Sequence, residues 1–210
     1  MICDIIFDLD GTLTDSGPGI LNCVQPALAR FGLHPPRESL GYFVGPPLGE
    51  SFVRAGVPAD KADEAIAIFR ARYHTVGKFE NSPYPGIPEL LARLSADGFR
   101  LHVGTSKPEL TANEVLAHFD LTRWFTHIRG ATMDHSRETK AQVLAALLAE
   151  VEGPAVMVGD TAYDVRGAKA HGLDTVGVAW GYGTVADMEG AGAVAIAHDP
   201  AELEAILRRL

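Results

Sequence analysis

From Pro85 onward the hydrophobic period switches repeatedly between that of a helix and that of a buried strand. In "PGIPELLARLSADG", Ile87, Leu90, Leu91 and Leu94 recur at helical spacing, and Gly98 closes the segment. "FRLHVG" (99–104) then reads as a strand, 108–119 as a helix and "FTHIRGA" as a strand. Residues 139–150 place Val143, Leu144, Leu147 and Leu148 on one helical face. "AVMVGD" is the next strand, 164–171 a helix and "TVGVAW" a strand. A short strand over 193–197 and a closing helix with Leu203, Ile206, Leu207 and Leu210 complete the series. Near the start, Ile2 to Leu9 is apolar and bounded by Gly11, the pattern of a strand buried on both faces. Such alternation predicts an α/β fold, a Rossmann-like parallel sheet covered by helices.

Residues 14–82 break the alternation. A crossover between parallel strands needs only ~10–12 residues, and this stretch is far longer. It is patterned as helix: Ile20, Val24, Ala27, Leu28 and Phe31 share one face, and Ala62, Ile66, Phe69 and Tyr73 another. "HPPRE" and "VGPPLGE" punctuate it. The expected division is therefore an α/β core of 1–13 and 83–210 with an inserted all-α helical subdomain of 14–82.

The opening "DIIFDLDGTLTDS" crowds Asp8, Asp10 and Asp15 at the exit of an apolar strand. Asp160 follows the strand "AVMVG", and Asp164 comes four residues later. Parallel strands bring their carboxyl ends to one sheet edge, where open α/β folds bind ligands. A single strand-end aspartate is often a helix N-cap. Several converging on one edge point instead to a hard cation such as Mg²⁺, which takes oxygen ligands.

A second group shares that edge. "VGTSK" ends a strand with Thr105, Ser106 and Lys107, and "SRETKAQVL" sets Lys140 at a helix start with Arg137 nearby. Hydroxyls and free N–H groups at a strand-to-helix junction suit a phosphate, and a lysine offsets its charge. Taken singly, either lysine is also an ordinary surface residue.

The net charge of −9 disfavours nucleic-acid binding. No run approaches a membrane span, and no basic leader precedes the first strand, so a cytoplasmic protein is expected. With two cysteines, a disulfide framework is not expected, and Cys3, in the first apolar run, reads as a buried thiol. The scattered histidines form no HExxH-type zinc pair.

"DLDGT", "VGTSK", "SRETK" and "VGDTAYD" resemble, in order, the four motifs of the haloacid dehalogenase-like phosphatases. "FVGPPLGESF" is similar to a cap segment of the phosphoglycolate phosphatase-like branch. The resemblance implies that Asp8 is the nucleophile and forms an aspartyl-phosphate. It implies that Asp8, the Asp10 backbone carbonyl and Asp160 hold Mg²⁺, with Asp164 orienting the ion's waters or Lys140. Asp10 would be the general acid and base. Thr105, Ser106 and the N–H groups of Gly11 and Thr12 would hold phosphate oxygens, with Lys140 rather than Lys107 supplying the compensating charge.

The helical insertion corresponds to that family's cap, with Gly45 and Leu48 as expected lining residues. Pro46 and Pro47 equally suit a break between two helices. Tyr182, in "GYGT", follows a strand and could approach the same edge, or belong to a plain turn. Asp15 reads as a cap or hinge residue. The expected substrate is a small phosphomonoester, such as a phosphoglycolate-like, nucleotide or sugar phosphate, and the expected state a monomer or homodimer. The same motifs fit a phosphomutase. A phospho-accepting signalling receiver fits less well, because its acceptor lies on a middle strand and it has no cap. Dehalogenation fits poorly, since it requires neither the second aspartate nor the metal.

Overall fold

The structure, a computed structural model, describes residues 2–134 and 136–210. The chain runs through β1 (Asp4–Phe7), α1 (Gly17–Ala29), α2 (Leu48–Arg54), α3 (Ala62–Tyr73), α4 (Ile87–Ala96), β2 (Arg100–Pro108), α5 (Glu109–His118), β3 (Phe125–Ala131), α6 (Lys140–Leu148), β4 (Ala155–Gly159), α7 (Ala162–Lys169), β5 (Asp174–Val178), α8 (Val185–Ala191), β6 (Ala195–Ala197) and α9 (Pro200–Leu207). Short 3₁₀ turns lie between some of these.

The strands form one parallel sheet in the order β3-β2-β1-β4-β5-β6. β1 is buried along its whole length because both its edges and both its faces are covered. Its side chains alternate between faces. Ile5 and Phe7 join Leu90, Leu91, Val115, Leu116, Leu203 and Leu207 from α4, α5 and α9. Ile6 faces the other way, onto Leu144 and Leu147 of α6, Met157 of β4 and Ala168 of α7. Helices on both faces explain why the strands read as continuous apolar runs. Truncating a fully buried side chain such as Leu91 to alanine removes transfer energy and leaves a cavity, a loss of ~2–5 kcal/mol.

The segment between Leu13 and Pro83 has its own apolar cluster. Ile20, Val24, Ala27 and Leu28 of α1 pack with Phe52 of α2 and with Ala65, Phe69 and Tyr73 of α3. Phe31 and Ile66 are partly buried against it. The chain enters and leaves this helical insertion side by side. The Asp15 N–H donates to the Ser82 carbonyl at 2.8 Å, and the Tyr84 N–H to the Leu13 carbonyl at 3.1 Å. Pro47 sits at the N-cap of α2, and Gly45 just before it has φ +98.

Three details differ from the sequence pattern. β2 runs on past Gly104 to Pro108, carrying Thr105 and Lys107 beyond the sheet edge. α8 is unanticipated because it anchors itself through a single buried apolar residue, Met188, too few for a visible period. Cys3 is exposed rather than buried, because the strand begins only at Asp4.

Candidate active site

Asp8 is the first residue beyond β1, and its N–H still donates to the Val158 carbonyl of β4 at 2.9 Å. That bond holds it at the sheet's carboxyl edge with its side chain buried. Asp160 occupies the matching place after β4. Asp164 lies in the first turn of α7, where its Oδ2 accepts from the Thr161 N–H at 3.0 Å and the Thr161 hydroxyl at 2.8 Å. This capping box fixes the carboxylate while freeing Oδ1 to face inward. One carboxylate oxygen each from Asp8, Asp160 and Asp164 lies within 4.8 Å of the others.

Lys140 opens α6, whose N-terminus is fixed by a capping box between Thr139 and Gln142. Its ammonium donates to the Gly104 carbonyl at 2.9 Å and stands 2.8 Å from both Asp8 Oδ1 and Asp164 Oδ1. A Cβ at residue 167 would meet Lys140 Cγ at 2.5 Å, so Gly167 of α7 makes room for the lysine stem. Burial pulls the lysine down, but Asp164 and Asp8 together outweigh it and hold the ammonium above its ordinary value.

Burial drives Asp8 up to about 6, against the opposing attraction of Lys140. Burial, then the Asp164 and Asp8 carboxylates, push Asp160 up to about 8. One lysine thus leaves the cluster under-neutralised. Asp8 Oδ1 and Asp164 Oδ1 are also buried without an aligned hydrogen-bond donor. An all-oxygen, buried, charge-deficient set fits a hard divalent cation; it joins Asp8 and Asp160 with Asp164, which the sequence reading sets behind the ion, while the Asp10 side chain turns to Lys107.

The remaining expected residues lie around this cluster. Gly11 has φ +86, a conformation that favours glycine, and a Cβ there would fall 2.2 Å from Asp160 Oδ2. The buried Thr12 hydroxyl donates to Asp160 Oδ1 at 3.0 Å. The buried Thr105 hydroxyl accepts from the Lys107 N–H at 3.2 Å and helps hold the Asp8 carboxylate down. Ser106 beside it is half-buried. The insertion reaches the same edge through Gly45, where a Cβ would lie 3.4 Å from Thr161 Cγ2. Leu48 instead packs against the insertion's own cluster. Arg137 is drawn away, donating to Glu109 at 2.6 Å and to the Gly130 carbonyl at 2.7 Å.

Sequence reasoning brought Lys107 and Tyr182 toward this edge but missed their partners. Lys107 also enters the site. Its ammonium contacts Asp10 at 2.6 and 2.8 Å and the Tyr73 hydroxyl at 2.6 Å. In the sequence Tyr73 looked like one more member of an apolar helix face. The Tyr182 hydroxyl donates to Asp15 and accepts from the Gly17 N–H at 2.9 Å, while the Tyr182 N–H donates to Asp160 Oδ2 at 2.8 Å. The glycines flanking Tyr182 were the available signal: a Cβ at residue 181 would meet Asp160 Cβ at 2.2 Å.

The family model for haloacid dehalogenase-like hydrolases matches residues 5–178. This chain belongs to that family. Among its relatives, the tyrosine-protein kinase PtkA of Mycobacterium tuberculosis is 47% identical over 183 residues, covering 85% of this chain and 62% of PtkA. The chain thus spans less than two thirds of that relative's length. A 5'-nucleotidase of Pseudomonas aeruginosa is 41% identical over 187 residues, 86% of this chain and 84% of its own. A phosphoglycolate phosphatase of Caulobacter vibrioides is 33% identical over 205 residues, 92% of this chain and 86% of its own. The crystal structure of a predicted phosphatase from Clostridium acetobutylicum superimposes with a TM-score of 0.95 at 37% identity, covering 100% of both chains. Among the described residues, no helix is long and apolar enough to cross a membrane.

Proposed function

We propose that this haloacid dehalogenase-like chain is a Mg²⁺-dependent phosphatase of small phosphomonoesters, acting through an aspartyl-phosphate on Asp8. The observation that carries the reading is the buried Asp8 carboxylate, 2.8 Å from Lys140 and within 4.8 Å of two further carboxylates. Asp8, the Asp10 carbonyl and Asp160 would hold the ion, and Asp164 would orient its waters or Lys140. When bound, the ion supplies the charge screening that lets an anionic nucleophile approach an anionic phosphate.

The chain's own residues account for the rest. Asp8 attacks phosphorus as the bond to the leaving oxygen breaks, and Asp10 in its acid form gives that oxygen a proton. Water then attacks the aspartyl-phosphate while Asp10 takes its proton back, releasing inorganic phosphate and restoring Asp8. Thr105, Ser106 and the N–H groups of Gly11 and Thr12 bind the phosphate oxygens, with Lys140 balancing their charge. Residues 14–82 act as a cap on the core of 1–13 and 83–210, with the loop at Gly45 over the edge and Leu48 behind it. The cap limits access to small substrates and excludes water during transfer.

Similarity to a nucleotidase and a phosphoglycolate phosphatase supports small soluble phosphomonoesters as the class. The test is inorganic phosphate release across nucleoside monophosphates, phosphoglycolate and sugar phosphates, with Mg²⁺ and with excess chelator. No release from any member, or undiminished release in chelator, would remove the proposal.

The likeness to PtkA supports a second reading, in which the phosphoryl group passes to a protein tyrosine instead of to water. Label from γ-labelled ATP appearing on a tyrosine peptide, without phosphomonoester turnover, would favour it.

A further inference from the structure

We infer that Tyr73 is a positioning residue for Asp10, acting through Lys107, and that this relay couples seating of the helical insertion to protonation of the leaving group. The inference rests on the phosphatase reading for its kinetic meaning, while the relay itself is a feature of the fold. Tyr73 ends α3, in the insertion, and Lys107 and Asp10 belong to the sheet edge. The Lys107 ammonium has three donors, and the geometry uses them all: two contacts to the Asp10 carboxylate, at 2.6 and 2.8 Å, and one to the Tyr73 hydroxyl, at 2.6 Å. Lys107 and Tyr73 are both buried.

A buried ammonium that leaves a donor unpaired bears the full desolvation cost of that donor. Lys107 therefore holds its position best when the tyrosine from the insertion is in place. The fork of contacts fixes the rotamer of the Asp10 carboxylate, and when Asp10 carries its proton the remaining contact keeps the side chain aimed. The Tyr73 ring is itself held, stacked on Phe69 with centroids 4.9 Å apart and planes 20° apart. The Tyr73 hydroxyl bonds to Lys107 and to none of Asp8, Asp160 and Asp164, so its effect travels through Lys107. When α3 lifts away, Lys107 loses its third partner and Asp10 its fixed aim. Asp10 is then aligned only under a seated insertion, when bulk solvent is excluded.

The relay makes a prediction that a purely structural tyrosine does not. Departure of a good leaving group needs little protonation, and departure of a poor one needs much. Tyr73→Phe keeps the stacked ring and removes the hydroxyl. The readout is kcat/KM, which reports the steps through phenol departure, for phenyl phosphate against the similarly shaped 4-nitrophenyl phosphate. Tyr73→Phe is expected to lower the value about tenfold for phenyl phosphate and less than twofold for 4-nitrophenyl phosphate, a fraction of the ~10²–10⁴ that a general acid supplies. Lys107→Gln, breaking the relay at its middle link, is expected to show the same dependence on the leaving group. Equal losses on both substrates, or no loss on either, would overturn the inference. If the wild-type protein turns over neither ester, the phosphatase reading fails and amide exchange decides the relay. Tyr73→Phe must then speed exchange in α3 severalfold over wild type, and unchanged exchange would overturn the relay as well.

Discussion

The Lys140 ammonium stands 2.8 Å from Asp8 Oδ1, and both side chains are buried. A buried pair of this kind is costly to break from one side, since the surviving charge loses its partner. Here the lysine also serves Asp164 at 2.8 Å. Its removal therefore leaves three buried carboxylates with no cation of the chain's own.

Lys140→Ala is expected to lower kcat/KM for phosphate release by about 10²–10³-fold, the usual effect of losing one preorganised charge partner. Lys107→Ala, which touches Asp10 rather than Asp8, should lose less. Parallel assays of the two variants on 4-nitrophenyl phosphate decide the matter. A larger loss in Lys107→Ala would reverse the assignment.

Asp8→Asn should abolish turnover and leave the fold intact, because an amide cannot form the acyl-phosphate. Circular dichroism checks the fold, and phosphate release checks the activity. A variant retaining even a tenth of the wild-type rate would mean that Asp8 is not the nucleophile.

The metal-free protein should lose stability as pH rises from about 4 to 8. Burial raises the folded-state value of Asp160 from 3.8 to about 8 and that of Asp8 from 3.8 to about 6. Between the unfolded and folded values the native state holds more protons than the unfolded one. The slope of unfolding free energy with pH is then negative. The favourable contribution is complete below pH 4 and is lost as pH climbs through 6 and 8. Lys140, raised above its ordinary value, does not titrate in this window; burial holds His74 and His102 below theirs, which opposes the trend near neutral pH without matching the larger rises of Asp8 and Asp160. Added Mg²⁺ should restore stability most at pH 8, because it binds the ionised cluster. Urea midpoints at pH 5 and pH 8, with and without Mg²⁺, test both halves. A midpoint that rises with pH in chelator would contradict the assignment.

Tyr182→Phe should destabilise the protein by about 1–2 kcal/mol, since the hydroxyl joins Asp15 and the Gly17 N–H. Both partners lie where the chain enters the helical insertion, so the loss should fall on that connection. Hydrogen exchange over 14–20 should quicken while the strands stay protected. Uniform quickening across the sheet would show that the tyrosine supports the whole fold instead.

The sequence by itself determined the parallel α/β architecture, the helical insertion after the first strand, and the carboxylates at the ends of β1 and β4. These are local properties. A strand's period, a helix's apolar face and the direction in which each strand exits are written within a dozen residues, and parallel pairing carries all the exits to one edge. That Lys140 belongs to this edge was legible as well, though only through the order of motifs; its contact with Asp8 was not, and neither was the partner of Lys107. Residues two apart on a strand share a side, so Lys107 follows Thr105 toward the site, but its pairing with Asp10 depends on β2 running on past Gly104, which no local pattern announces. Nor could Tyr73 be told from its apolar neighbours, because a phenol at the end of a helix face meets a lysine 34 residues away only once the insertion is seated. Tyr182 is the longest-range case: its hydroxyl meets a residue 167 positions earlier, across the boundary between insertion and sheet. Such contacts depend on packing angles and side-chain reach between separate elements. No local period encodes those quantities, so the tertiary structure alone decided which side chains complete the site.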